Sequence, residues 1–265
     1  LYNMIHRARH SFIKGENAII FNFFRSLKSE IERHSPDKVY IVSEGVPFRR
    51  LQINPEYKGT RDRTRDDNFS RQKREIIKLI KHLPVTFARH EQLECDDVIA
   101  HLASNVYKDQ KVIILSTDTD FIQLLENENT KLWNPIKKKF IDRWPVDYLV
   151  YKSLKGDSSD NVAGVKGVGD KTARKLAGNA EMLKQFFDRK PEARSQFESA
   201  IKQIRFIDIE PNDRVLQLEV CNSDLDYLRS AFTDLNFKSI IGKSWSKWQN
   251  TMETLNESRA EAKLI

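Results

Sequence analysis

Two stretches decide the reading of this chain: Glu94-Cys95-Asp96-Asp97, and, further on, Lys111-Val112-Ile113-Ile114-Leu115-Ser116-Thr117-Asp118-Thr119-Asp120. The apolar, β-branched run 111–115 predicts a buried strand, and Asp118 and Asp120 follow at its C-terminal end. In open α/β sheets that edge is where ligands collect. Five carboxylates, Glu94, Asp96, Asp97, Asp118 and Asp120, would repel one another if they converged without a cation. Hard divalent cations take oxygen ligands and commonly share them with substrate phosphates. The pattern therefore points to a metal site that works on phosphate. The alternative is that Asp96 and Asp97 only favour a helix N-terminus, with Asp118 and Asp120 in a solvated loop.

Composition sets the limits. The chain has 265 residues, 39% of them apolar and 31% charged, and carries a formal net charge of +7. That is enough chain for one large or two modest domains. No apolar run approaches the roughly 20 residues of a membrane span, and no secretory pattern opens the sequence. Cys95 and Cys221 are too few for a disulfide framework, which favours a reducing compartment. An acidic cluster in a basic chain fits a polyanion held over metal ions.

Outward from the acidic stretches, helices and strands alternate. Ile20, Phe24, Leu27 and Ile31 give one buried stripe along a helix over 16–34. Val39-Tyr40-Ile41-Val42 predicts a strand, with Glu44 at its end as a further candidate ligand. Within the basic segment 6–10, read as one exposed helix face, Arg7 is a candidate phosphate contact. Residues 47–67 read as a charged loop. Its Arg49, Arg50, Lys58, Arg61, Arg63 and Arg65, with Tyr57 among them, combine charge and stacking as single-stranded nucleic acid requires. A solvated face is the plainer reading of that run. A helix over 69–83 and a strand over 85–88 complete an alternation that implies a mostly parallel sheet with helices on both faces.

From Pro145 the texture changes to helices and loops with few strand signals, Trp245 and Trp248 covering their surface. Lys155-Gly156-Asp157-Ser158-Ser159-Asp160-Asn161 precedes Gly164-Val165-Lys166-Gly167-Val168-Gly169, a glycine-punctuated turn into a helix over 170–177. Its backbone amides and helix N-terminus could face a phosphate, with Lys166 and Lys171 supplying charge. No β-run precedes the turn, so it is not a dinucleotide loop.

Taken in order, these motifs resemble the 5′-nuclease family, the 5′–3′ exonuclease and flap endonuclease domains of bacterial DNA polymerase I and of bacteriophages. The matching pieces are 56–61, 94–97, 116–120, 156–161 and 164–169. The resemblance implies an α/β core of the resolvase or PIN-like kind over 1–144, with a short helical arch around 58–83. It also implies a helical DNA-binding domain over 145–265, carrying a helix–three-turn–helix motif near 146–178. Two Mg²⁺ ions, replaceable by Mn²⁺, would lie among Glu94, Asp96, Asp97, Asp118, Asp120, Asp157 and Asp160. Lys58 and Arg61 would assist catalysis and, with Tyr57 and Arg49, contact DNA. Gly164, Lys166, Gly167, Gly169, Lys171 and Thr172 would grip duplex backbone, and the carbonyls of Val165 and Val168 a K⁺ ion.

The implied substrates are DNA 5′ flaps, nicks and free 5′ ends. A monomer in a bacterial or phage-infected cytoplasm, working beside a replicative polymerase or single-strand-binding protein, completes the expectation. Glu44 stands where the family carries Asp, and the family's first strand with its Asp-Gly signature is expected upstream of Leu1. Two rival readings remain: a haloacid-dehalogenase-type phosphatase with Asp118 as nucleophile, and a non-catalytic DNA-binding relative.

Overall fold

The structure is a computed structural model describing residues 1–11, 15–60, 66–210 and 213–261. In chain order the elements are α1 (Tyr2–Arg9), α2 (Ala18–His34), β1 (Tyr40–Ser43), α3 (Phe48–Ile53), α4 (Asp67–Ile80), β2 (Thr86–His90) and α5 (Cys95–His101). Then come β3 (Val112–Leu115), β4 (Thr130–Asn134), β5 (Lys139–Ile141), α6 (Tyr148–Lys155), β6 (Gly156–Asp157), β7 (Val162–Ala163), α7 (Asp170–Ala177), α8 (Ala180–Arg189) and α9 (Pro191–Ile204). The chain closes with β8 (Leu216–Val220), α10 (Leu225–Asp234), α11 (Lys238–Ile241) and α12 (Trp245–Glu261). Among the described residues no helix is long and apolar enough to cross a membrane.

The chain forms two compact units. The first comprises the described residues of Leu1–Glu44, Thr64–His90 and Arg214–Ile265, the second those of Gly45–Arg63 and Glu91–Asp213. This interleaving differs from a division at residue 144, because the last helices fold back into the unit that begins the chain.

In the first unit β1 pairs with β2 in parallel and β2 with β8 antiparallel. The expected stripe of α2 is buried as written. Phe24 meets Phe232 at 5.1 Å between ring centroids. Trp245 and Trp248, expected at the surface, are 6% and 2% exposed and stack at 5.4 Å. Strand β8 also corrects the expectation of few strands after Pro145. Its Leu216-Gln217-Leu218-Glu219-Val220 alternates with period two in sequence, although every residue after Leu216 is exposed.

In the second unit β3 and β4 are parallel, and β5 returns antiparallel to β4 through a tight hairpin. The expected mostly parallel central sheet is thus replaced, among the described residues, by two mixed three-stranded sheets. Helix α6 starts where Asp147 accepts from the Val150 amide at 2.9 Å, and its Leu154 is fully buried. Immediately beyond, β6 and β7 pair Gly156 with Ala163.

A Cβ on Gly164 would lie 2.3–2.5 Å from backbone atoms of Lys155 and Gly156, so only glycine fits that crossing. Gly167 has φ +77° in a turn closed by the Val168 amide on the Val165 carbonyl at 3.0 Å. Around Gly169 a Cβ would meet open space. Urea unfolding should rank the three alanine variants accordingly. Gly164→Ala should cost about 3 kcal/mol by backbone overlap, Gly167→Ala about 1 kcal/mol by the left-handed φ, and Gly169→Ala close to nothing. Equal midpoints for the first and last would contradict the packing.

Candidate metal centre

Helix α5 begins at the acidic stretch, with Glu94 preceding its first turn. Glu94 and Asp97 are buried, and Asp96 is half-buried. Asp97, fully buried, accepts from Arg50 Nη1 at 2.6 Å and Nη2 at 2.8 Å. The Ile207 amide donates to it at 2.9 Å and the Glu94 amide at 3.2 Å. Both its oxygens are therefore committed within the protein. On a helix adjacent residues point about 100° apart, and here Asp96 lines the pocket while Asp97 turns inward.

The pocket itself is lined by Tyr57, Glu94, Asp96, Asp120, Asp157 and Asp160, with Arg50 at its floor. Carboxylate oxygens of Asp120, Asp157 and Asp160 all lie within 4.8 Å of one another. Asp120 opens a 3₁₀ turn after β3, and Asp157 closes β6. Two ammonium groups stand among the carboxylates. Lys152, from α6, pairs with Asp120 and lies 2.7 Å from Asp157. Lys58 pairs with Glu94 and lies 3.7 Å from Asp160. An all-oxygen donor set, with cations already drawn into it, fits a hard divalent metal.

The electrostatics follow from burial and these partners. Burial pushes the Asp120 carboxyl up to about 6, and Asp118 and Asp157 add to the rise against the pull of Lys152. Burial opposes the charge of Lys152, yet Asp120 and Asp157 outweigh it and hold its ammonium above the ordinary range. For Asp157 burial is overcome by hydrogen bonds from Lys152 and Ser159, and its carboxyl sits below the usual value.

Tyr57, expected to stack on nucleic acid, is 4% exposed and serves the pocket instead. Its hydroxyl lies 3.0 Å from Glu94 Oε2 and 3.0 Å from Asp160 Oδ2, with one proton to donate. Burial, then Glu94, raises its pKa, so the phenol stays protonated. Beside it Lys58 holds a left-handed φ of 55° and Asn161, in the facing loop, one of 57°. The two loops are joined by the Lys58 amide to the Asp160 carbonyl at 3.0 Å and by Asn161 Nδ2 to the Glu56 carbonyl at 3.0 Å. Non-glycine residues in that conformation persist only where neighbours enforce it.

Asp118 is exposed; its Oδ1 caps the Asp120 amide at 2.9 Å while its own amide donates to Ser116 Oγ at 3.0 Å. It borders a separate cleft of about 270 Å³ with Asn134 and Lys137. Glu44 belongs to the first unit and is half-buried at the end of β1. Arg7, in that same unit, is half-buried, and its enclosed Nη1 has no hydrogen-bond partner among the described residues. Arg49, Lys166, Lys171 and Thr172 are exposed. Arg61, Arg63 and Arg65 fall outside the described residues. Lys152 and the buried role of Arg50 were missed, because neither a helix pattern nor a basic run tells which cation turns inward.

The carboxylates of the pocket are gathered from the start of α5, the turn after β3 and the segment that follows α6. Residues 2–152 match the family described as 5′-3′ exonuclease, N-terminal resolvase-like domain. DNA polymerase I of Treponema pallidum is 34% identical over 197 residues, 66% of this chain and 20% of that protein. A 5′-3′ exonuclease of Aquifex aeolicus is 31% identical over 247 residues, 84% of this chain and 83% of that one. The chain belongs to the 5′-3′ exonuclease family, and it spans about a fifth of the polymerase it matches. The fold is also similar to a bacteriophage T5 flap endonuclease in a pseudo-enzyme-product complex with DNA and metal ions. The TM-score is 0.64 at 16% identity, over 96% of each chain, a likeness of fold alone.

If Lys152 holds the place of a cation among Asp120 and Asp157, the variant Lys152→Met should bind Mn²⁺ more tightly than the parent. A ligand that binds only the folded state raises stability in proportion to RT ln(1 + [L]/Kd). The melting temperature of the variant should therefore fall without metal and rise further than the parent's on adding Mn²⁺. A smaller metal-induced rise would show that Lys152 assists the ion instead of competing with it.

Proposed function

We propose that this chain is a metal-dependent, structure-specific 5′ nuclease that hydrolyses DNA phosphodiester bonds. The observation that carries the proposal is the convergence of Asp120, Asp157 and Asp160 within 4.8 Å in the pocket that Glu94 and Asp96 also line. Two divalent cations, Mg²⁺ or Mn²⁺, held by these residues would activate water and stabilise the leaving oxygen. Glu94 and Asp96 form one side of the donor set; Asp120, Asp157 and Asp160 form the other. Lys58 stands on the rim with its ammonium on the carboxylates, placed to steady charge on an incoming phosphate. Arg61, three residues further on, is proposed for the same task. Asp118 acts through the turn that orients Asp120.

The segment from α6 through the glycine turn to α7 is proposed to be the helix–three-turn–helix grip on duplex DNA. The support is chemical. The turn exposes Lys166, Lys171 and Thr172 at a helix start, and backbone amides with lysines suit phosphate. A K⁺ ion on the carbonyls of Val165 and Val168 belongs to the same proposal. So do substrates with 5′ flaps, nicks or free 5′ ends, a polymerase or single-strand-binding protein as co-worker, a monomeric state and a cytoplasmic setting.

Labelled 5′-flap, nicked and single-stranded DNA, with and without Mg²⁺, provide the test. Asp96→Asn and Asp157→Asn should each lower the single-turnover rate by at least a hundredfold while DNA affinity in Ca²⁺ stays within a fewfold. Parental rates in either variant would remove that residue from the metal site.

The two basic regions should separate in the same assay. Lys58→Ala should act mainly on the rate and Lys171→Ala mainly on the dissociation constant, with a shallower salt dependence for the latter because one phosphate contact is gone. The opposite split would reverse the roles.

A further inference from the structure

We propose that Arg50 is a positioning residue that fixes Glu94 for metal binding, with Asp97 as its anchor. The inference rests on the reading of the pocket as a divalent-metal site. Arg50 leaves α3 and is 3% exposed, and each of its guanidinium nitrogens is engaged. Nε donates to the Gln203 carbonyl at 2.8 Å, and Nη2 to the Arg205 carbonyl at 3.1 Å. Nη1 and Nη2 take the two oxygens of Asp97 at 2.6 and 2.8 Å. Nη1 also lies 2.9 Å from Glu94 Oε2. Only a planar fork of donors can meet a carboxylate side-on and two carbonyls at once; an ammonium cannot.

The consequence falls on Glu94. Its Oε2 is held between Arg50 and the Tyr57 hydroxyl, while Oε1 is turned to Lys58. One oxygen is thus fixed by a buried cation with no freedom to leave, and the other is offered to a partner on a long, flexible stem. Glu94 is thereby prepared to give a metal a single oxygen in a set orientation. Asp97 supplies the charge that keeps Arg50 in place and needs no metal of its own. Partners behind a ligand typically change metal affinity 10–100-fold when they are altered.

The test uses the whole chain and a readout independent of cleavage. Mn²⁺ binding without DNA is followed by electron paramagnetic resonance for the parent, Arg50→Lys and Asp97→Asn, with melting temperatures alongside. Arg50→Lys keeps the charge and loses the fork; Asp97→Asn keeps the shape and loses the anchor. Both should weaken one class of bound Mn²⁺ about tenfold and spare the other, held by Asp120, Asp157 and Asp160. The Mg²⁺ concentration for half-maximal cleavage should rise by the same factor, with DNA affinity in Ca²⁺ unchanged. The double variant should do no more than either single one.

Parental Mn²⁺ affinity in a folded Arg50→Lys, beside a weakened Asp97→Asn, would make Asp97 a ligand and overturn the proposal. Equal loss of both Mn²⁺ classes would also overturn it, as a collapse of the pocket. Should Arg50→Lys fail to fold, Arg50→Gln takes its place: a weakened single class beside the same loss in Asp97→Asn supports the proposal, and parental affinity overturns it. If the parent binds no Mn²⁺ at all, it is the metal reading of the pocket that fails.

Discussion

Like-charge repulsion is the constraint around which the second unit is built. Two carboxylates 4.8 Å apart repel by about 3 kcal/mol at an effective dielectric of 20, and the pocket brings together more than one such pair. The chain meets this in two ways. Asp97 is neutralised permanently, by a guanidinium buried with it and by two backbone amides. Asp120, Asp157 and Asp160 are instead balanced by lysines at the pocket's edge, whose side chains are 13–14% exposed, and Glu94 is shared between Arg50 and Lys58. The first arrangement is architecture. The second can give way when a stronger cation arrives, since an ammonium on a four-carbon stem can swing out into solvent.

This division explains features that have no other evident purpose. The left-handed backbone at Lys58 is unfavourable for a lysine. It is tied on both sides, by the Lys58 amide on the Asp160 carbonyl and the Gly59 amide on the Glu56 carbonyl. Across the gap, Asn54 reaches Gln203 and the Asn161 carbonyl. The loop that bears Lys58 is consequently fastened to the loop that bears Asp160. A buried phenol between two carboxylates is unfavourable unless it stays protonated, and Tyr57 does so because burial and Glu94 both resist its ionisation.

Much of this was legible in the sequence, and the reason is spacing. A carboxylate just past an apolar strand, or at the start of an amphipathic helix, is placed by secondary structure alone, so Glu94, Asp96 and Asp120 could be picked out from pattern. Asp157 and Asp160 came from the ordered motifs instead. What pattern does not carry is rotation and long-range pairing. Asp96 and Asp97 differ by one helical step, and only tertiary packing decides which faces the pocket. Tyr57 and Arg50 sit in a segment so charged that exposure is the natural expectation; Arg50 is buried on carbonyls at the end of α9, some 150 residues away, and Tyr57 on Glu94 and Asp160. Trp245 and Trp248 are in the core because α12 returns to the first unit, which no local signal announces. Strand β8 is legible in its alternation of Leu216, Leu218 and Val220 with Gln217 and Glu219.

The anchoring of Arg50 gives α9 a part in the chemistry that its sequence does not suggest. Helix C-termini present unpaired carbonyls with a partial negative charge, and here two of them, Gln203 and Arg205, receive the guanidinium that also holds Asp97 and Glu94. The Asp97 carboxylate in turn accepts from Ile207, so the chain beyond α9 and the start of α5 are tied through a single ion pair. Buried pairs of this kind add little net stability, because desolvation offsets attraction, but removing one partner is costly. Their value lies in allowing one geometry and no other. A pocket that must hold several repelling carboxylates open for metal gains from a frame that cannot relax. Arg50 supplies that frame from three elements at once, and the exchangeable lysines could not do so.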